Sequence, residues 1–205
     1  MKKETIKVGR FYCPDDPVFI GPLSKGPFEG NNLVAAMKYC KPGVAIDGGA
    51  HVGSWSIKMA EFFSEVHAFE PDSQNFSCLE MNIHGLENVK AYNKAIGDSP
   101  CRRSLKEGTN SGSGYLVDGE DFEVITVDSL NLTGLSFLKL DIEGYEPFAI
   151  EGAKETIEKY SPVVLVEQKD ITARYGLHFM EAGKRLEKLG YSLVERVNND
   201  FIYRR

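Results

Sequence analysis

Several features that mark other protein classes are missing from this 205-residue chain. No apolar run approaches the roughly 20 residues that a membrane-spanning helix needs. The first ten residues, MKKETIKVGR, contain no apolar stretch of the kind found in secretory signal peptides. We therefore expect a soluble protein of the cytoplasm that does not engage a membrane.

Cysteine and histidine are scarce and scattered. The four cysteines (Cys13, Cys40, Cys78 and Cys101) include no CxxC pair, and the four histidines do not cluster. Zinc sites and small disulfide-stabilised domains both need closely spaced ligands or many cysteines. The pattern therefore predicts neither, and it assigns no metal ligands.

Basic residues are fewer than acidic ones: the chain has 24 Lys and Arg and 30 Asp and Glu, which gives a net charge of −6. Attraction of nucleic acid by overall charge is therefore disfavoured, although a local basic groove stays possible. The chain is 42% hydrophobic and 26% charged, which is typical of folded soluble proteins. Its length suits one compact domain.

Short β-rich runs alternate with amphipathic helical stretches from Pro42 onward. This order predicts an α/β fold with a doubly wound, Rossmann-like sheet that is mostly parallel and carries an antiparallel hairpin at its C-terminal edge. The predicted strands are 44–46, 66–69, 89–92, 122–127, 137–140 and 163–166, and the predicted hairpin consists of 191–197 and 201–203. Apolar stripes predict helices within 52–62, 76–83 and 179–189. A further helical region is predicted from Pro147 to about Tyr160.

Two segments have no clear pattern. Residues 98–120 are rich in Gly and Ser without an apolar period, so we expect a mobile loop there. Residues 1–40 are interpreted as an N-terminal extension to a domain at 41–205. Within the extension, 11–30 is rich in Pro and Gly and could cover one mouth of the sheet, and residues 31–37 suggest a helix.

A glycine-rich turn follows the first predicted strand and opens a helix, in the sequence Asp47-Gly48-Gly49-Ala50-His51-Val52-Gly53. At this place an α/β sheet binds ligands on backbone N–H groups. A tight strand-to-helix turn also needs glycine for steric reasons alone. Glu70 ends the second predicted strand, where a carboxylate can accept both hydroxyls of a ribose. Together the two features predict a nucleoside-bearing ligand.

Asp47 distinguishes between two such ligands. A carboxylate at the end of the first strand would repel the pyrophosphate of NAD, but it suits the ammonium group of S-adenosylmethionine (SAM), directly or through water. SAM therefore fits better than NAD, and a dehydrogenase is the least favoured enzyme. The structural alternatives are that Asp47 is a helix-capping or turn residue and that Glu70 is an exposed acid at a strand end.

Three segments, AIDGGAHVG, AFEPDSQNF and LKLDIEGYE, resemble in that order the FkbM-like branch of SAM-dependent methyltransferases. The resemblance runs from about Gly30 to Gln168. It implies a seven-stranded Rossmann-like methyltransferase sheet and O-methylation of a small-molecule or glycan hydroxyl. It also implies that SAM is bound at the methionine end by Asp47, Gly49 and Gly53, at the ribose by Glu70 braced by Asn75, and at the adenine by Ala95 and Ile96, with Gly48, His51 and Asp141 beside it.

His51 stands where that family commonly has Asn, and Gly48 stands where it commonly has an aliphatic residue. These two departures concern contacts to the carboxylate of the cofactor.

Carboxylates end two further predicted strands. Asp141 ends one, Glu143 follows it in a turn, and Glu167 ends the next. Methyl transfer to a hydroxyl needs a proton acceptor, so these three residues are the candidate catalytic groups. Carboxylates gathered at one rim raise one another's pKa or hold a divalent cation. The alternative is that Glu143 or Glu146 caps the following helix.

Two other functions stay open at this point. Lys38, Asp141, Lys169 and Glu195 have the chain order of the Lys-Asp-Lys-Glu set that RNA ribose 2′-O-methyltransferases use. A non-catalytic SAM-binding module would share the cofactor site. The sequence identifies neither the methyl acceptor nor the oligomeric state.

Overall fold

The structure, a computed structural model, describes residues 3–25 and 30–205 as an α/β fold. Residues 1–2 and 26–29 of the predicted N-terminal extension lie outside these ranges. Asp16 accepts a hydrogen bond from the backbone N–H of Val18 at 3.0 Å and caps the first helix. The helix predicted over 31–37 is present. The extension contains β1 (Thr5–Val8), β2 (Phe11–Pro14), α1 (Pro17–Ser24) and α2 (Gly30–Met37).

Strands and helices then alternate as predicted. Asp72 caps the second helix of this region by accepting from Gln74 N at 2.9 Å and Asn75 N at 2.8 Å. The first helix of this region covers only Ser54–Met59 and is therefore shorter than the helix predicted from the apolar stripe over 52–62. The elements are β3 (Val44–Gly48), α3 (Ser54–Met59), β4 (Glu65–Phe69), α4 (Ser73–Ile83) and β5 (Val89–Tyr92).

The prediction of a single loop over 98–120 was wrong, because two strands of a second sheet lie within this segment. That sheet has the order β6-β9-β7-β8, and one side of its strands is solvated, so the charged residues of β7 hid the period-two pattern. The apolar side chains of Leu105 and Leu116 still pack together with Val124. The strands are β6 (Ala95–Ile96), β7 (Cys101–Lys106), β8 (Tyr115–Asp118) and β9 (Phe122–Ile125).

The helical region predicted from Pro147 to Tyr160 consists of two helices. It breaks at Gly152, where a Cβ would lie 2.0 Å from the carbonyl oxygen of Gly97. The chain passes so close to the end of β6 that no side chain fits. The remaining elements are β10 (Phe137–Leu140), α5 (Glu146–Glu151), α6 (Lys154–Tyr160), β11 (Val163–Glu167), α7 (Glu181–Lys188), β12 (Ser192–Val197) and β13 (Asp200–Arg204).

The main sheet has seven strands in the order β12-β13-β11-β10-β3-β4-β5. It is mixed, since the five strands from β11 to β5 are parallel and β13 and β12 are antiparallel. The chain moves outward from β3 through β4 to β5 and restarts on the other side at β10. In such sheets, ligands bind at the carboxyl ends of the strands where the direction reverses, here between β3 and β10.

Two apolar layers cover the sheet. Phe137 and Leu165 pack against the layer that contains Leu33 and Met59, whereas Leu138 belongs to the layer with residues of α5 to α7. The alternation follows from the opposite directions of successive side chains in a strand. All four cysteines are free. Within the described ranges, no helix combines the length and apolar composition needed to cross a membrane.

Candidate active site

A cavity of about 540 Å³ lies at the carboxyl ends of β3, β4, β10 and β11. This volume is within the usual range for small-molecule sites. Besides the strand ends, the N-terminal extension and the β7–β8 connection line it. Lining residues that recur below are Phe19, Gly49, His51, Trp55, Glu70, Asn75, Ala95, Ile96, Ser111, Lys139, Asp141, Glu143, Glu167 and Lys169.

The turn after β3 is fixed against the ends of the neighbouring strands. The backbone N–H groups of Gly49 and Ala50 donate to the Phe69 carbonyl at 3.0 and 2.9 Å. A Cβ at Gly49, whose φ is +76°, would lie 1.9 Å from the Asp141 carbonyl oxygen. Glycine therefore allows the turn to sit directly on the ends of both β4 and β10.

Asp47 lies beneath this turn and has no exposed surface. Its Oδ1 accepts from Lys139 Nζ at 2.9 Å and its Oδ2 from Ser56 Oγ at 2.7 Å. Asp47, Gly48 and Gly53 do not line the cavity. The sequence predicts that Asp47 contacts a ligand ammonium directly or through water; in this structure its two carboxylate oxygens are hydrogen-bonded to Lys139 and Ser56 instead of lining the cavity.

Lys139 forms a buried ion pair with Asp47. It is 3% exposed, lines the cavity, and also donates to the Gly49 carbonyl at 2.9 Å. Its ammonium lies 5.3 Å from the centroid of the Trp55 ring. Trp55, which its helical spacing predicts as a core residue, belongs to the core and also lines the cavity. Sequence reasoning missed Lys139, although a lysine in an otherwise apolar strand was a usable signal.

Glu70 lines the cavity with 6% of its surface exposed. Its Oε2 accepts from His51 N at 2.8 Å and its Oε1 from Asp72 N at 2.9 Å. Burial raises the pKa of Glu70 to about 7, against the opposing effect of these hydrogen bonds. The alternative of an exposed acid at a strand end is therefore wrong.

Asn75 lies beside Glu70 and is 3% exposed. Its Nδ2 donates to the Ser111 carbonyl at 2.8 Å. Its Oδ1 is buried and finds no hydrogen-bond partner among residues 3–25 and 30–205. A donor group of a ligand in the cavity would satisfy this oxygen. Ala95 and Ile96 add apolar lining from the short strand β6.

The β7–β8 connection reaches the cavity at Ser111. Its Oγ lies 3.1 Å from His51 Nε2, and its backbone N–H donates to Asp16 Oδ2 at 2.7 Å. The His51 ring lies 4.4 Å from the Phe19 ring, centroid to centroid. Burial lowers the pKa of His51 to about 4, so the ring is neutral near pH 7. We define the Ser111 latch as the contacts of Ser111 with Asp16, His51 and Asn75.

Three carboxylates meet at the ends of β10 and β11. One oxygen from each of Asp141, Glu143 and Glu167 lies within 4.8 Å of the other two. We call these three residues the acidic cluster. Lys169 pairs with Glu167 Oε1. Burial, followed by the charge of Asp141, raises the pKa of both Glu143 and Glu167.

The turn that presents the cluster is held by Glu146, which is 1% exposed. Glu146 Oε1 accepts from the backbone N–H groups of Ile142 and Gly144 at 2.9 and 3.2 Å. Glu146 thus fixes the turn before α5 rather than capping the helix, since α5 has no side-chain cap and Tyr145 occupies its N-cap position. Glu143 instead has a left-handed φ of +59° and belongs to the acidic cluster.

Comparison with protein families identifies residues 47–193, more than half of the chain, as a methyltransferase FkbM domain. The chain belongs to the FkbM methyltransferase family. A search of curated protein sequences finds no match.

Solved structures share the fold of this FkbM domain. Methyltransferase FkbM from Methylobacillus flagellatus KT is similar at a TM-score of 0.57 and 16% identity, over 80% of this chain and 44% of that chain. Precorrin 8w decarboxylase from Methanobacterium thermoautotrophicum is similar at a TM-score of 0.58 and 17% identity, over 98% and 99%. The domain thus spans less than half of the M. flagellatus protein. At these identities the likeness shows the fold alone.

The fold does not bring together the Lys-Asp-Lys-Glu set that the chain order suggested. Lys38 and Glu195 pair with each other at 3.3 Å, and Glu195 belongs to the edge strand β12. Neither residue lines the cavity that contains Asp141 and Lys169. The four residues therefore match the set in chain order only, because Lys38 and Glu195 lie apart from Asp141 and Lys169 in the fold.

Proposed function

We propose that this FkbM domain is a SAM-dependent methyltransferase that acts on a hydroxyl group of a small molecule or glycan. One observation carries the proposal: a single cavity at the carboxyl ends of the parallel strands contains both Glu70 and the acidic cluster. The first suits a nucleoside and the second suits a proton-transfer site.

The residues present fit the cofactor. Glu70 would accept the ribose hydroxyls, the unsatisfied Oδ1 of Asn75 offers a further acceptor, and Ala95 and Ile96 would flank the adenine. Lys139, rather than Asp47, presents a charged group to the cavity near the turn, so Asp47 would act by holding Lys139. When bound, SAM supplies an electrophilic methyl group on a positively charged sulfonium.

Asp141 is the proposed proton acceptor. Burial, followed by the charge of Asp141, raises the pKa of Glu167 and favours its protonated form, which leaves Glu167 a poor proton acceptor. The side chain of Asp141 lines the cavity and can meet an acceptor hydroxyl there. The Ser111 latch keeps the β7–β8 connection against the cavity and so limits the entry of water.

The acidic cluster also bears on the type of acceptor. Three neighbouring carboxylates repel phosphate, and Lys38, the first lysine of the RNA-type set, lies outside the cavity. These observations favour an uncharged hydroxyl acceptor over an RNA ribose. Binding of SAM without transfer to any hydroxyl acceptor would instead indicate a non-catalytic SAM-binding module.

Replacing Glu70 tests the cofactor site. Hydrogen bonds to a charged group contribute about 1.5–3 kcal/mol, so we expect Glu70→Ala to weaken SAM binding by about 10- to 100-fold in isothermal titration calorimetry. The variant also leaves the N–H groups of His51 and Asp72 without their acceptor. Glu70→Gln, which keeps an oxygen acceptor, is therefore measured beside it, and we expect weakened binding there too.

Glu87→Ala is the control, because Glu87 is an exposed glutamate outside the cavity. We expect its SAM affinity to equal that of the wild type. If both Glu70 variants fold and bind SAM with normal affinity, the assignment of Glu70 to the ribose fails. If the wild type binds neither SAM nor its demethylated product, the proposed function fails as a whole.

A further inference from the structure

We propose that the acidic cluster of Asp141, Glu143 and Glu167 binds one divalent cation through oxygen ligands. Binding of the ion stands on the geometry of the cluster alone, whereas any part it plays in methyl transfer rests on the proposed function. The ion would be of the hard, oxygen-seeking class to which Ca²⁺, Mn²⁺ and Mg²⁺ belong.

The spacing of the carboxylates suits such an ion. Two oxygens bound to one ion can be no further apart than twice the metal–oxygen distance, which is about 4.6–5.2 Å for Ca²⁺ and about 4.1 Å for Mg²⁺. The three oxygens of the cluster lie within 4.8 Å of one another. Some point therefore lies within about 2.8 Å of all three oxygens, so an ion of the size of Ca²⁺ fits after a contraction of at most a few tenths of an ångström, and Mg²⁺ needs a larger contraction.

An unsatisfied oxygen independently indicates a missing partner. Glu167 is 7% exposed, and its Oε2 is buried without a hydrogen-bond partner in the described parts of the chain. Lys169 pairs with the other oxygen, Oε1. A buried carboxylate oxygen left in this state is costly, and a bound cation would remove the cost.

Within the described ranges, one cation is paired with a carboxylate of the cluster. Lys169 offers one positive charge to three carboxylates. Lys139 is engaged by Asp47, and Arg174 lies 3.9 Å from the Tyr115 ring and donates to the main-chain carbonyl of Glu143 rather than to its carboxylate. Asp141 and Glu143 therefore have no cation paired with their carboxylates in the described parts of the chain.

The environment also leaves room for the rest of a coordination shell. Asp141 and Glu143 are only partly buried, and all three carboxylates line the cavity. Water or an oxygen of the acceptor could complete the shell from the cavity side. If the proposed function holds, the ion would bind the hydroxyl of the methyl acceptor beside Asp141 and lower the pKa of that hydroxyl.

Calorimetry on the cofactor-free protein tests the site directly. CaCl₂, MnCl₂ and MgCl₂ are titrated separately into the wild type, Glu143→Gln, Asp141→Asn and the control Glu158→Gln, which removes an exposed carboxylate on α6. We expect one saturable site in the wild type, an affinity at least tenfold weaker in both cluster variants, and no change in the control. Glu143→Gln is the safest variant for folding, since its side chain is partly exposed.

The result that overturns the site is equally definite. No saturable binding below about 1 mM, the weak end of protein calcium sites, or equal affinity in wild type and cluster variants would refute it. Binding that appears only in Lys169→Met would mean that the lysine is the resident cation, which also refutes the site in the native chain. The same samples are also titrated with SAM. A protein that binds SAM but binds none of the cations refutes only this site. A protein that binds a cation but does not bind SAM refutes only the proposed function.

Discussion

Replacing Lys139 with methionine is expected to lower the free energy of unfolding by about 3–5 kcal/mol, the usual cost of breaking a buried ion pair by removing one partner. Methionine keeps most of the volume beside Trp55, so the loss comes mainly from the charge. Asp47 would then stay fully buried with a negative charge, and Ser56 would be its one remaining side-chain partner among the described residues. Urea unfolding followed by circular dichroism measures the change.

The double variant Asp47→Asn/Lys139→Met separates charge from packing. Since it removes both charges, we expect it to recover a large part of the lost stability. Lys184→Met, which changes an exposed lysine on α7, is the control and should stay within about 0.5 kcal/mol of the wild type. A Lys139→Met protein as stable as this control would show that the pair is not a source of stability.

The second large effect concerns turnover. Asp141→Asn keeps the shape of the side chain but removes the proton acceptor, so we expect the rate of methyl transfer to fall by about 10²- to 10⁴-fold. Binding of SAM should be retained, because the contact of Asp141 with the Gly49 turn is made by its main-chain carbonyl. The rates are measured by release of the demethylated cofactor, with a hydroxyl compound that the wild type methylates in a screen.

Two results would contradict this role. If Asp141→Asn lost SAM binding together with turnover, the side chain would belong to the cofactor site. If turnover persisted at the wild-type rate, another group would accept the proton. Glu158→Gln again serves as the control and should keep both SAM affinity and rate, since Glu158 is exposed on α6 and does not line the cavity.

Local patterns were sufficient for most of the main sheet. The run Val163–Val166 is apolar because both of its faces are covered, and the hairpin around residues 198–200 follows from turn residues between two strand-like runs. The acids of the cavity could be predicted too. Glu70, Asp141 and Glu167 each end or follow a predicted strand, and parallel strands bring their carboxyl ends to one edge.

Pairings between distant segments could not be predicted in the same way. Asp47 and Lys139 are partners because β3 and β10 are adjacent and in a register that aligns these two residues. No local pattern states that register, so the carboxylate was interpreted as a ligand contact. The β7–β8 strands were missed for a related reason, because their stability comes from pairing with β9 and each other rather than from an apolar run of their own.

The Ser111 latch has a consequence for comparing relatives of this chain. Two of its contacts use the backbone of Ser111, whose N–H meets Asp16 and whose carbonyl meets Asn75; only the contact with His51 uses the hydroxyl. Any residue type except proline, which has no backbone N–H, can make both contacts. A homologue can therefore keep the β7–β8 connection in place with a different amino acid at position 111. The residues to compare between homologues are the ones equivalent to Asp16 and Asn75, because their side chains make these contacts.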